Sequence, residues 1–590
     1  MLVYGDPVRV AAPRAMLARI AEAWREAAAM PAGIARHSRL ATALIEAGEL
    51  AQALADLAFE ARGRIDDLYP GDAARMRLCL SLARALQASW DSGFALCTEP
   101  DEAAIEACRE GTLPASVRVK VPEGYAFYAL YPEAVIAAAR TLSGGGAVRV
   151  IGIRSIGTGL AALAAAALGD PAPVTLRPTG HPFRREVRLS ERMAAHLLEG
   201  VTGAVVVDEG PGLSGSSFGA VADALEAVGM PRERIAFLPS HSGDLGGEAS
   251  EAHRTRWAAA RRPVVDMDAL ILTADDPAHR LETWAAELAG PPLAPLEDIS
   301  GGAWRARVLG PDESGWPASL AYQERRKFLM RTEQGLVLIK FMGLGPEGER
   351  KAGRAAALSE AGFIPPVLGL RHGFLVQRWL DGVRPLASET TDRAALVGHL
   401  ARYLAFRARR FPAPAEAGAS GETLVEMTRR NTSLALGEAA GDAATRAAAA
   451  LPALDAGLRR IETDGRMQAH EWLVGPGGRL WKADAVDHHA AHDLVGCQDL
   501  AWDVTGAIVE LGLTPTEGEA LCAAIEADGD LAVSLDRLRA LRPAYLAFHL
   551  GRARMGAEAL AGWPEEARRL AREAERYEHA LRALLAGNAP

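Results

Sequence analysis

At 590 residues the chain is far longer than one ordinary domain, so two or three domains with sizeable cores are expected. A net charge of −10 with 24% charged residues offers no general attraction to nucleic acid, and an anionic small molecule would need a locally positive pocket. No apolar run is long enough for a bilayer, Met1 opens no leader pattern, and the five scattered cysteines form no CxxC pair or disulfide framework; together these predict a soluble cytoplasmic protein with no membrane or nucleic-acid partner.

Residues 1–115 read as a helical region, with Met16–Ala29 and Leu50–Ala61 as its clearest periods. No catalytic constellation stands out there, and such a region serves as a cap or as the contact of a homo-oligomer. Residues 116–290 change character. Val117–Tyr131 alternates β-formers and gathers Tyr125, Phe127, Tyr128 and Tyr131, aromatics that suit a core or interface better than base stacking. Ala147–Leu160 is a buried strand followed by a turn carrying Arg154, Ser155, Gly157, Thr158 and Gly159, and then an Ala-rich helix. Thr175–Val187, rich in breakers and with Arg177, His181, Arg184 and Arg185, reads as a basic loop.

The stretch Val205–Ser217 organises this half. Its β-branched run predicts a parallel strand buried on both faces, with Asp208 and Glu209 at the C-terminal end, where open α/β sheets bind ligands. Gly210, Gly212 and Gly215 let backbone N–H groups approach an anion, and Ser214, Ser216 and Ser217 add hydroxyls at the start of the helix Phe218–Val228. That is the layout of a sugar-phosphate cradle. Arg234–His241 predicts the next strand, with His241, Ser242 and Asp244 near its end.

This order resembles the binding signature for 5-phosphoribosyl 1-diphosphate (PRPP) of type I phosphoribosyltransferases, with one extra residue between the acid pair and the loop. The resemblance implies a glycosyltransferase-class enzyme using Mg²⁺. Asp208 and Glu209 would hold the ribose hydroxyls, and Ser214, Gly215, Ser216 and Ser217 the 5-phosphate. Arg154, Ser155, Gly157, Thr158 and Gly159 would take the diphosphate, while Arg177, His181, Arg184 and Arg185 close over it. Gly210-Pro211-Gly212 supplies no base, and the acceptor is left open.

Pro291, Pro292 and Pro295 mark a boundary near Leu288–Ser300, and residues 300–590 form the last unit. Trp304–Leu309, Lys327–Thr332 and Leu336–Met342 read as strands, the last two joined at Gly335, and Glu349 opens the helix that follows. Phe374–Gly382 is a strand running into a hinge. Further on come Asp464 and His470, a Gly475–Gly478 turn, a strand Arg479–Lys482 leading to Asp484, and the stretch Gln498–Val504. His488 and His492, read at i, i+4 on a helix, suit hydrogen-bonded histidines beside a pocket better than metal ligands, since no third ligand is evident. Thr516–Leu585 is helical.

That succession resembles the protein-kinase-like fold, especially its aminoglycoside phosphotransferase branch, with a small lobe over 300–382 and a large lobe over 383–590. The resemblance implies ATP as cosubstrate. Lys340 would grip its phosphates, Glu349 would fix that lysine, and Gln377 would lie in the hinge. Asp464 would be the base, and Asp484 with His470 would hold Mg²⁺, His470 standing one residue late for the family's Asn.

The expected fold class is thus an α/β unit (parallel sheet with flanking helices) and an α+β kinase-like two-lobed unit behind a helical N-terminal region. The favoured activity is phosphoribosyl transfer, with phosphorylation of a small molecule by the second unit. Two alternatives stand beside it: a ribosyl-phosphate hydrolase or phosphorylase, and a nucleotide-sensing binding protein whose kinase-like half is a pseudoenzyme.

Overall fold

The computed structural model describes residues 8–110, 113–386, 392–489, 494–527 and 531–587. The N-terminal part comprises β1 (Val8–Ala11), α1 (Pro13–Ala29), α2 (Ile34–Ala61), α3 (Asp72–Asp91), α4 (Glu102–Arg109), β2 (Val117–Lys120), α5 (Glu123–Phe127) and α6 (Pro132–Arg140). β1 and β2 pair antiparallel, so the alternating Val117–Lys120 run is a strand. The aromatic-rich residues after it turn into the short helix α5.

A four-stranded parallel sheet follows, in the order β4 (Val174–Leu176), β3 (Val148–Ile153), β7 (Gly203–Val207), β8 (Ile235–Leu238). Helix α7 (Gly157–Leu168) packs on one face; α8 (Glu191–Leu198) and α9 (Ser216–Ala227) pack on the other. The two-residue period of a strand explains the uninterrupted apolar run. Along β7, Val205 and Val207 enter the core with α6 and α7, while Ala204 and Val206 enter the core with α8 and α9. The basic stretch expected as a loop is a hairpin, β5 (Thr179–His181) with β6 (Arg184–Glu186). Helices α10 (Glu251–Ala259) and α11 (Leu281–Ala289) lead out of this part.

The second sheet is antiparallel, in the order β12 (Val367–Arg371), β13 (Phe374–Arg378), β11 (Gly335–Phe341), β10 (Lys327–Thr332), β9 (Glu297–Asp298), with α13 (Gly345–Glu360) between β11 and β12. Trp304–Leu309, expected as a strand, is the helix α12. Six residues of mixed pattern do not distinguish the two periods, and two left-handed glycines, Gly301 and Gly302, turn the chain into the helix. Beyond β13 and β14 (Arg384–Pro385) the chain is mostly helical: α14 (Arg393–Arg410), α15 (Gly421–Leu436), α16 (Glu438–Ala448), α17 (Leu451–Leu454), α18 (Leu500–Glu510), α19 (Pro515–Ala527), α20 (Leu535–Ala559) and α21 (Pro564–Leu585). Short strands β15 (Arg460–Ile461), β16 (Trp472–Val474), β17 (Leu480–Lys482) and β18 (Gln498–Asp499) punctuate it.

The N-terminal helices do not stand apart as a cap. Ile45 and Leu86, Leu163 of α7, and Ile339, Phe341 and Phe374 of the second sheet belong to one continuous core. Among the described residues no helix is long and apolar enough to cross a membrane.

Candidate functional site

Strand β11 turns Val337, Ile339 and Phe341 into the core shared with the N-terminal helices, which leaves Leu338 and Lys340 on the opposite face. Directly across on that face lie Gln377, opposite Leu338, and Lys327, opposite Lys340. These side chains line a cleft of about 610 Å³ whose other wall carries Arg466, His470, Glu471, Asp484, Asp487 and His488.

Lys340 Nζ lies 2.6 Å from Asp484 Oδ2. Burial opposes the charge on Lys340, but Asp484 and Asp487 outweigh it and raise its pKa. Burial likewise opposes ionisation of Asp484, yet Lys340 and His488 hold its carboxyl well below the usual range. Asp487 accepts a hydrogen bond from Arg325 Nε at 3.2 Å and lies 3.8 Å from Lys351 Nζ, whose pKa burial pushes down to about 8. His488 sits with Nε2 3.6 Å from Asp484 Oδ2 and Nδ1 3.1 Å from the Asp464 carbonyl oxygen. The ligand atoms of Asp484, Asp487 and His488 all lie within 4.8 Å of one another, and Asp484 Oδ1 is buried without a hydrogen-bond partner. An orphaned carboxylate oxygen beside a second carboxylate fits a hard divalent cation such as Mg²⁺.

The second constellation sits at the C-terminal edge of the parallel sheet. Asp208 and Glu209 follow β7 and Ser155 follows the adjacent β3. With Lys120, His241 and Arg326 they line a cavity of about 800 Å³. Burial raises the Asp208 carboxyl to about 6; burial and the neighbouring Asp208 raise Glu209 to about 8. Glu209 also accepts the Gly124 N–H at 3.1 Å. The two cavities share a wall, since Tyr128 lines both. The segment carrying it is held from the cleft side by Lys351 Nζ on the Ala126 carbonyl (3.1 Å) and Arg325 Nη1 on the Phe127 carbonyl (3.0 Å).

Several sequence-derived site residues lie elsewhere. Arg154, expected at the diphosphate, is a fully buried structural cation: Nη2 lies 2.7 Å from Asp66 Oδ1, and Nε donates to Thr175 Oγ1. Of the same turn, Ser155 reaches the cavity. Gly157 is packed so that an added Cβ would come within 2.9 Å of the Val207 carbonyl oxygen, Thr158 is buried, and Gly159 meets Gly48 of α2. The Ser214 and Ser216 hydroxyls are turned to the hairpin. Ser216 Oγ donates to the Pro182 carbonyl at 2.7 Å, and Ser214 Oγ accepts the Ser216 N–H at 3.2 Å. Gly210 and Gly212, rather than Ser214, Gly215, Ser216 or Ser217, line the cavity. None of Arg177, His181, Arg184 and Arg185 lines it either; Arg177 pairs with Asp56 at 3.0 Å, and His181 and Arg184 are exposed on the hairpin.

In the cleft, Lys340, Gln377, Asp484 and His470 are brought together, but Glu349 points away, accepting hydrogen bonds from Arg39 and Thr42 of α2. The carboxylates that serve Lys340 are Asp484 and Asp487. His470 stands in the wall with its ring stacked toward Trp304, outside the Asp484–Asp487–His488 cluster. Asp464 is completely buried. Tyr403 donates to it, Lys482 Nζ lies 3.4 Å away, and Asp503 accepts the backbone N–H groups of Asp464 and Gly465. The cleft residue beside it is Arg466. Residues 484–489 form bends and turns, and His492 lies outside the described residues.

Sequence reasoning passed over Asp487, Lys351 and Arg325. The signal for Lys351 was there: Lys351, Arg354, Ala355 and Leu358 share one buried helical face, and Glu349 lies off it. Nothing in the sequence marks Arg325, which precedes β10 and acts across 162 positions of chain.

No protein-family model matches the chain, and no curated protein matches it. Among solved structures, the choline kinase LicA from Streptococcus pneumoniae aligns over 43% of this chain and 89% of its own at 16% identity and a TM-score of 0.30. A choline/ethanolamine kinase family protein from Mesorhizobium loti aligns over 48% and 97% at 17% identity and 0.31. The spectinomycin phosphotransferase APH(9)-Ia, in complex with ADP and spectinomycin, aligns over 52% and 97% at 11% identity and 0.35. Scores of this size do not carry function across, so the chemistry of this chain is taken from its own residues.

Proposed function

We propose that the cleft around Lys340 binds a nucleoside triphosphate with Mg²⁺ and serves phosphoryl transfer to a small molecule. The observation that carries this is the Lys340–Asp484 pair with Asp484 Oδ1 left free of partners. A strand-held lysine offers its charge to phosphate oxygens, and Gln377 at the end of β13 stands where a base edge would pass. Asp484 and Asp487 would hold Mg²⁺, which would neutralise phosphate charge. Calorimetry with Mg²⁺–ATP tests the reading on the full chain. Wild type is expected to bind and Lys340→Met to bind at least about tenfold more weakly; equal affinities would remove the cleft as the nucleotide site.

The sealing of Asp464 favours a second reading of the same cleft, nucleotide binding without turnover. Formation of ADP from bound ATP separates the two. For the acid-pair cavity the reading is binding of Mg²⁺–PRPP, with a nucleophile displacing diphosphate at C1 of the ribose. Its support is the placing of Ser155, Asp208 and Glu209 at the ends of adjacent parallel strands. Tyr128 in both walls supports successive use of one metabolite by the two cavities.

A further inference from the structure

Away from both cavities, three side chains distant in sequence meet in the core. His37 belongs to α2, Glu133 to α6, and His372 to the turn between β12 and β13, and all three are fully buried. His37 Nε2 lies 2.8 Å from Glu133 Oε1, and His372 Nε2 lies 3.4 Å from the same oxygen. Outward contacts fix their orientation. His37 Nδ1 is 3.0 Å from the buried Ser89 hydroxyl, which turns Nε2 inward, and Tyr131 Oη donates to the His372 carbonyl at 2.9 Å. Trp90 and Phe94 pack tilted against the His37 ring, and Trp284 meets the His372 ring edge-on.

As a purely organic network this cluster is incompletely satisfied. Neither ring nitrogen of His372 makes a hydrogen bond, and Glu133 Oε2 has no partner. Leaving such groups unpaired in a dry core is destabilising, and a ligand that takes them up removes that cost.

We propose that His37, Glu133 and His372 form a buried site for one divalent transition-metal ion, zinc being the ion best suited to the donors. Two imidazole Nε2 atoms and a carboxylate oxygen are donors of the types zinc takes. Tetrahedral coordination at Zn–N distances of about 2.0–2.1 Å separates neighbouring donors by roughly 3.3 Å. The His372–Glu133 separation already matches, and the His37–Glu133 pair needs to open by about half an ångström. The Ser89 contact on His37 Nδ1 is the outer-shell partner that a ligating histidine ordinarily has. Coordination uses neutral imidazole nitrogens and an ionised carboxylate, and because the site is sealed the ion is loaded as the chain folds. Bound there, it ties the β12–β13 turn of the second sheet to helices α2 and α6.

The test uses the full chain expressed in defined medium with Zn²⁺ or with Co²⁺, then passed through gel filtration in EDTA. About one equivalent of metal is expected in the wild type, with visible d–d bands in the cobalt form. A folded Glu133→Gln variant loses both, and Asp484→Asn/Asp487→Asn, which alters the cleft, keeps both. Should Glu133→Gln not fold, His372→Gln takes its place. Folded wild type with less than about a tenth of an equivalent, or metal that follows Asp484 and Asp487 rather than Glu133, overturns the site and points to a protonated histidine–carboxylate network.

Discussion

Asp464 anchors a loop rather than facing the cleft. Against the cost of burial, Lys482, His488 and Arg407 hold its carboxyl far below the usual range. Its contribution to stability is therefore complete above the unfolded carboxylate pKa of about 4 and is lost as pH falls below it. Asp464→Asn takes the nearer carboxylate from the buried Lys482, leaving it Glu471 at 3.6 Å, and is expected to cost roughly 3 kcal/mol in urea unfolding; a cost under about 1 kcal/mol would return Asp464 to the solvent-facing role of a base. Asp208 and Glu209 have the opposite sign. Their raised carboxyls favour the folded state most fully below the unfolded range, and that contribution is lost as pH rises through about 6 and about 8. Cations and ribose hydroxyls need the ionised pair, so affinity for Mg²⁺–PRPP is expected to rise between pH 6 and pH 8. Calorimetry across that interval checks it: a flat or falling affinity counts against the pair as the ligand site, and Asp208→Asn/Glu209→Gln should abolish the slope.

At the scale of elements, close backbone approach decides what each strand end can present. Gly152 on β3 lies under the first turn of α7, and a Cβ there would stand 2.1 Å from the Gly157 carbonyl oxygen. Gly152→Ala therefore pushes α7 off the sheet and should lower stability by roughly 1–3 kcal/mol. Gly353→Ala, in α13 with nothing within 4 Å of its Cβ, should instead gain up to about 1 kcal/mol. Denaturant midpoints of the two variants compare them directly, and similar shifts would mean that the contact at Gly157 is not rigid. The β5–β6 hairpin follows the same logic: by taking the Ser216 hydroxyl on Pro182 it covers the N-terminus of α9.

For the whole molecule, the shared core matters more than the order of units along the chain. Removing residues 1–115 would uncover Val119 of β2, Ile136 of α6 and Leu160 and Leu163 of α7, core residues on elements against which α2 and α3 pack. At about 1.5–3 kcal/mol per exposed side chain, four such losses approach the whole stability of an ordinary domain, about 5–15 kcal/mol. A chain starting at residue 116 is thus expected to be insoluble or to lack a cooperative melting transition. A soluble, cooperatively melting product would show that the N-terminal helices are dispensable.

The sequence alone determined what depends on local pattern. The β-branched runs of β3 and β7, the Gly335 turn between β10 and β11 and the acid pair ending β7 were all legible, because strand periods and turn chemistry act over a few residues. Tertiary structure alone decided which charges face ligand and which face protein. Arg154 and Asp464 have the composition of site residues but are sealed by Asp66 and Lys482, whereas Asp487 gains its place from Arg325 and Lys351. Glu349 was assigned by order along the chain, but the rotation of α13 sends it to α2. Each of these outcomes depends on a partner between 18 (Asp464 to Lys482) and 307 (Glu349 to Thr42) positions away, whose approach is set by packing of the shared core rather than by anything written near the residue itself.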